Sequence, residues 1–138
     1  MKKKICLLLA ILLLFPALAG AETIVTSFYP IWILALNLTD GLEGVEVINL
    51  TEPVTGCLHD YYLLPSDKVT LSRADILLIN GAGMEAFLPD ISVDYPNLPV
   101  VDATAGLPFL SESGMLEIGD HEEGEEVNAH LWLDPQRE

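Results

Sequence analysis

The side chains best suited to hold a transition metal in this 138-residue chain are its three histidines, His59, His121 and His130, because neutral imidazole is the commonest ligand for such ions. His59 stands in Cys57-Leu58-His59-Asp60, with a thiol two residues ahead and a carboxylate directly after. His130 stands in Ala129-His130-Leu131-Trp132-Leu133-Asp134-Pro135. His59 and His130 brought to one rim would suit zinc, which takes nitrogen and sulfur donors. His121 and Cys57 are auxiliary candidates, although a free cysteine is ordinarily a small buried residue. Asp60 and Glu52 are placed to orient an imidazole by accepting its second N–H, or simply to face water. By spacing alone, lone histidines are equally at home on an ordinary surface or in a core. Tyr61, Tyr62, Trp32 and Trp132 read as core and cleft-wall aromatics.

Composition narrows the partners. Hydrophobic residues make up 51% of the chain, which supplies the apolar surface that a disordered chain lacks. Acidic residues number 21 against 6 basic, a net charge of −15. Such a chain repels the phosphates of nucleic acid and attracts cations.

The N-terminus reads as a secretory signal peptide over residues 1–21. Lys2, Lys3 and Lys4 precede an apolar run from Ile5 to Phe15, which Pro16 breaks before the small residues Ala17-Leu18-Ala19-Gly20-Ala21. That run is too short to span a bilayer as a mature helix. Leu18-Ala19-Gly20-Ala21 has the form of a bacterial lipoprotein box with alanine at the cysteine position, so the expectation is an exported protein, periplasmic or extracellular, without a lipid anchor. Cleavage would leave Lys68, Arg73 and Arg137 as the only basic residues and Cys57 as the only cysteine, which precludes an internal disulfide.

Residues 22–138 alternate strand and helix signals. Strands are expected at Thr23 to Ser27, Val45 to Leu50, Ile76 to Ile79 and Pro99 to Val101. Helices are expected from Pro30 to about Thr39, from Ser66-Asp67, and from Met84 to Leu88. Gly81 and Gly83 mark the turn after the third strand. His130 to Leu133 reads as a brief strand entering a helix, with Asp134 as cap and Pro135 as its first residue. Residues 111–128, with seven acids and three glycines, read as a flexible acidic loop. Strands separated by helices imply a Rossmann-like α/β lobe with a mostly parallel sheet flanked by helices, in which ligands gather at the carboxyl ends of the strands.

Taken in order, the motifs resemble the N-terminal lobe of the zinc/manganese-binding solute-binding proteins of bacterial ABC transporters, the ZnuA-like family. His59-Asp60-Tyr61-Tyr62-Leu63-Leu64-Pro65-Ser66-Asp67 is similar to that family's His-x-Tyr-x-x-x-Pro-Ser-Asp stretch. Arg73-Ala74-Asp75 and Asn80-Gly81-Ala82-Gly83-Met84-Glu85 resemble its Ala-Asp and Asn-Gly-x-Gly-x-Glu segments, and His130-Leu131-Trp132-Leu133-Asp134-Pro135 its second histidine motif. The resemblance implies a two-lobed fold, His59 and His130 as the metal ligands of this lobe, and Zn2+ as cargo, with Mn2+ the alternative. It further implies a membrane permease as partner, a monomer, and no catalysis. An acidic, histidine-bearing loop that gathers metal would match residues 111–128 with His121. Family members have a linking helix and a second lobe with the remaining ligands, so residues 22–138 correspond to the N-terminal portion.

Two departures stand beside the ligands. Leu58 replaces a proline common before the first, and Asn128-Ala129 replaces a common Asp-Pro before the second; both are expected to loosen the backbone that aims the imidazole. An adhesin-like member of the family is an alternative function. A zinc hydrolase is a weaker one, because no His-Glu-x-x-His helix or similar base-bearing motif occurs in the sequence. Mass spectrometry of exported material is expected to find an N-terminus at Gly20 or Glu22 with no acyl mass; a diacylated species would overturn the reading of Ala21.

Overall fold

The computed structural model describes residues 21–52, 58–110, 116–117 and 128–133. Cys57, His121, most of the acidic loop, and Asp134-Pro135 lie outside the described residues, as does nearly all of the expected signal segment.

The chain enters β1 (Glu22–Thr26), crosses over through α1 (Tyr29–Leu38), and returns in β2 (Val45–Asn49). It then runs through α2 (Pro65–Leu71), β3 (Ile76–Ile79), α3 (Leu88–Asp94) and β4 (Val100–Asp102). The four strands form one sheet in the order β2-β1-β3-β4, every neighbouring pair parallel. This is the Rossmann-like lobe expected from the alternation of apolar runs. Each helix carries proline within its first two residues, where a missing N–H costs nothing and the fixed φ already suits the helix.

The core joins the sheet to its covering helices. Val25 of β1 and Leu77 and Ile79 of β3 meet Ile31 of α1, Leu71 of α2 and Ile91 of α3. β3 buries alternate residues, whereas all three residues of β4 are exposed. Pro99 to Val101 is therefore a strand as expected, but one at the sheet edge.

Four sequence expectations need correction. Met84 to Leu88 does not begin a helix: α3 starts only at Leu88, because Glu85 turns its carboxylate back onto the Asn80-Gly81 backbone. The acidic loop is not wholly irregular, since Leu116–Glu117 pairs antiparallel with Phe109–Leu110, forming β5 (Phe109–Leu110) and β6 (Leu116–Glu117). Leu131–Leu133 is a 3-10 turn, not a strand. Tyr62 is also no wall residue; it is 83% exposed.

The start of α2 is fixed by Asp67. Its buried carboxylate accepts the Leu64 N–H at 2.7 Å and the Tyr61 hydroxyl at 2.7 Å, with Ser66 Oγ at 3.3 Å. Burial, reinforced by the bond to Asp67, pushes the Tyr61 phenol up to about 12. Asp67→Ala strands these donors and is expected to cost about 2 kcal/mol in urea unfolding. Ser72→Ala, which removes an exposed hydroxyl, is expected to stay within about 0.5 kcal/mol.

Candidate metal centre

The strand order creates one privileged position. From β1 the chain crosses to β2 on one side, while β3 lies on the other. The connections therefore leave the carboxyl ends of β1 and β3 in opposite directions, opening the crevice where α/β sheets bind ligands. Ser27-Phe28 follows β1 at this rim, Thr51-Glu52 follows β2, and Asn80-Gly81 follows β3. The Ser27 N–H donates to Leu78 O at 2.9 Å, which draws the two strand ends together.

His130 lies across that crevice. Trp132 packs edge-on against Phe28 after β1, ring centroids 4.9 Å apart. Asn80 Nδ2 after β3 donates to Ala129 O at 3.0 Å. Ala129 and Leu131 are buried on either side, so the backbone is pinned while the imidazole is exposed. Asn128 Oδ1 lies 3.0 Å from the His130 N–H and 2.9 Å from Nδ1. An amide oxygen accepts only, so Nδ1 carries the hydrogen and Nε2 keeps its lone pair for a metal. Asn128-Ala129 thus supplies an aim of its own, contrary to the loosening expected from its departure from Asp-Pro.

His59 is presented differently. The Tyr61 N–H donates to Leu58 O at 3.1 Å, closing a turn with His59 and Asp60 at its tip. Leu58 is fully buried, and Tyr61 is packed edge-on against Phe87 at 5.8 Å. The substitution of leucine for the common proline therefore exchanges a stiff residue for a core anchor. Leu58 and Ala129 belong to the same core cluster, with Tyr61 and Trp132 packed against it. Both histidines consequently stand out from one packed unit.

Beneath His130 lies a polar layer whose residues stand in the Asn80-Gly81-Ala82-Gly83-Met84-Glu85 motif. Glu85 is 5% exposed and accepts the Asn80 N–H at 2.8 Å and the Gly81 N–H at 3.1 Å. Burial pushes its carboxyl above the ordinary glutamate range, and Ser27 and the backbone N–H groups of Asn80, Gly81 and Glu85 itself oppose the shift. The turn it grips has three successive left-handed residues, Gly81, Ala82 and Gly83, with φ of 87°, 52° and 77°. For Ala82 that conformation costs roughly 1–2 kcal/mol. A Cβ at Gly81 would also fall onto the Asp102 carboxyl group, so only glycine fits there. Thr51 Oγ1 is buried at the same rim without a hydrogen-bond partner among the described residues.

Glu52 and Asp60 are exposed, and neither carboxylate is hydrogen-bonded to an imidazole among the described residues. No group of three or more His, Cys, Asp or Glu side chains gathers into a metal-sized cluster among them either. What the described residues offer is a pair of imidazoles on a parallel α/β lobe.

A lobe of this kind, with its crevice spanned by a histidine-bearing turn, is the architecture of a metal-binding solute-binding protein. The family model for the periplasmic zinc-uptake complex component A, ZnuA, matches residues 24–137, and the chain belongs to that family. The high-affinity zinc uptake system protein ZnuA of Yersinia pestis is 30% identical across 96% of this chain and 47% of its own. The manganese-binding lipoprotein MntA of Halalkalibacterium halodurans is 27% identical across 96% of this chain and 44% of its own. The Mn2+ complex of FpvC from Pseudomonas aeruginosa superposes with a TM-score of 0.66 at 23% identity, over 86% of this chain and 41% of that one. The chain thus spans about half the length of the curated relatives it matches.

The Asn128 contact makes a direct prediction about the ring. In the metal-free protein, 15N NMR is expected to find neutral His130 as the Nδ1–H tautomer. Asn128→Ala should shift the tautomer ratio about fivefold towards Nε2–H, as the loss of a hydrogen bond worth about 1 kcal/mol implies. A wild-type ring already in the Nε2–H form would refute the assignment.

Proposed function

We propose that this chain captures a divalent transition metal outside the cytoplasm, zinc in preference to manganese, and delivers it to the membrane permease of an ABC importer without catalysing a reaction. The observation that carries the reading is the presentation of His59 and His130 by turns anchored in one core at the carboxyl rim of the sheet. Imidazole nitrogen favours zinc, whereas manganese favours oxygen donors. The manganese-binding relatives support Mn2+ as the second cargo. Glu52 and Asp60 would orient a bound imidazole, and His121 and Cys57 would play at most auxiliary parts. The net charge of −15 favours the approach of cations. The signal-like leader supports export, and Ala21 supports a protein without a lipid anchor. We further propose that the protein acts as a monomer.

The test is zinc titration against a competing chelator. His59→Ala and His130→Ala should each lower affinity at least tenfold, while His121→Ala and Cys57→Ser should stay within a few-fold. Zinc takes neutral imidazole, so affinity should fall on acidification. If His121→Ala did the most damage, the ligand assignment would be wrong.

A further inference from the structure

We propose that Asn80 and Glu85 form the positioning pair for His130: Glu85 locks the turn after β3, and that turn holds the Asn80 carboxamide against the backbone that carries the imidazole. The proposal rests on reading His130 as a ligand, and it names residues that never touch metal. Three observations carry it. The first is connectivity. The Glu85 carboxylate takes the N–H groups of both Asn80 and Gly81, so that the two residues are fixed as one rigid unit. Asn80 Nδ2 then reaches 49 residues along the chain to Ala129 O, and its other described acceptor is Gly81 O at 2.9 Å.

The second observation is burial. Asn80 is 1% exposed, Glu85 5% and Ala129 2%. A buried amide that loses its partner is left unsatisfied, so the Asn80–Ala129 bond is costly to break and has one geometry. The third is the backbone. Ala82 is held at a φ of 52° between two left-handed glycines, a conformation that persists only where its surroundings impose it. Glu85 grips the turn from within, and the Asp102 carboxyl group abuts Gly81 from the neighbouring strand. The turn therefore cannot relax without moving Asn80, and Asn80 cannot move without releasing Ala129. His130 is the next residue, and its ring is already fixed at Nδ1 by Asn128. The pair thus sets where the backbone of His130 sits, while Asn128 sets how its ring is turned.

The test uses the full chain and zinc as the probe. Asn80→Asp keeps the shape but replaces the donor with a carboxylate that faces two carbonyl oxygens. It should lower zinc affinity about tenfold or more, within the range that residues behind a metal ligand command. A double-mutant cycle separates positioning from general damage. The loss should vanish in a His130→Ala background and persist in a His59→Ala background. An equal loss in both backgrounds, or a folded Asn80→Asp protein within twofold of the parent, would overturn the proposal. If Asn80→Asp does not fold, Glu85→Gln decides by the same cycle, because it retains one of the two acceptor oxygens and should give a smaller loss with the same coupling. The His130 Hε1 resonance of the metal-free protein gives a readout independent of binding. It should move in Asn80→Asp and Glu85→Gln, and an unmoved resonance would sink the proposal. Were His130→Ala to leave zinc affinity intact, the ligand reading would fail, while the resonance would still report whether the pair positions the residue.

Discussion

A carboxylate withdrawn from water must be surrounded by donors or give up its charge, and Glu85 is the residue on which that constraint falls. Its nearest donors are the backbone N–H groups at the end of β3, and taking them decides the local course of the chain. The strand cannot pass straight into a helix, so the backbone turns through left-handed conformations and α3 begins late. Asn80 is thereby fixed at the crevice between β1 and β3, where its side chain meets the segment bearing His130. The sheet order creates the crevice; the buried acid determines what stands over it.

The two imidazoles are prepared unequally. His130 has its backbone pinned by Asn80, its neighbours buried and its Nδ1 engaged by Asn128. His59 is held only through the turn that carries it, with Leu58 and Tyr61 in the core and no hydrogen bond from its own ring to another described residue. The His130 ring is oriented by Asn128, whereas the His59 ring has no such partner among the described residues. In the site proposed above, that inequality would divide the two donors into a fixed point and an adaptable one.

Much of the architecture was legible because it follows from local rules. Apolar runs at Thr23 to Ser27 and Ile76 to Ile79 became β1 and β3, and the helix starts expected at Pro30 and Ser66-Asp67 fall within one residue of those found. The expectation that His59 and His130 are ligands came from the family resemblance and not from their spacing. What stayed hidden depends on contacts far apart in sequence. Nothing local distinguishes Met84 to Leu88 from a helix start until Glu85 is seen to bend back to Asn80. Asn128 reads as a departure from a motif until its oxygen is found on the His130 ring. Tyr62 and Tyr61 are adjacent and identical in type, yet only Tyr61 has Asp67 to receive its hydroxyl. Val100 and Val101 look like core residues, but position at the sheet edge leaves them exposed.

The grip of Glu85 has a consequence for which ions the rim can accept. In nucleotide-binding α/β proteins, free backbone N–H groups after a strand form a cradle for phosphate. Here the corresponding donors of Asn80 and Gly81 are already committed to an acid from the same chain. An internal carboxyl group occupies both donors, so neither is open to an approaching anion. The general α/β architecture admits phosphate cradles at its strand ends; this strand end is closed to one from within.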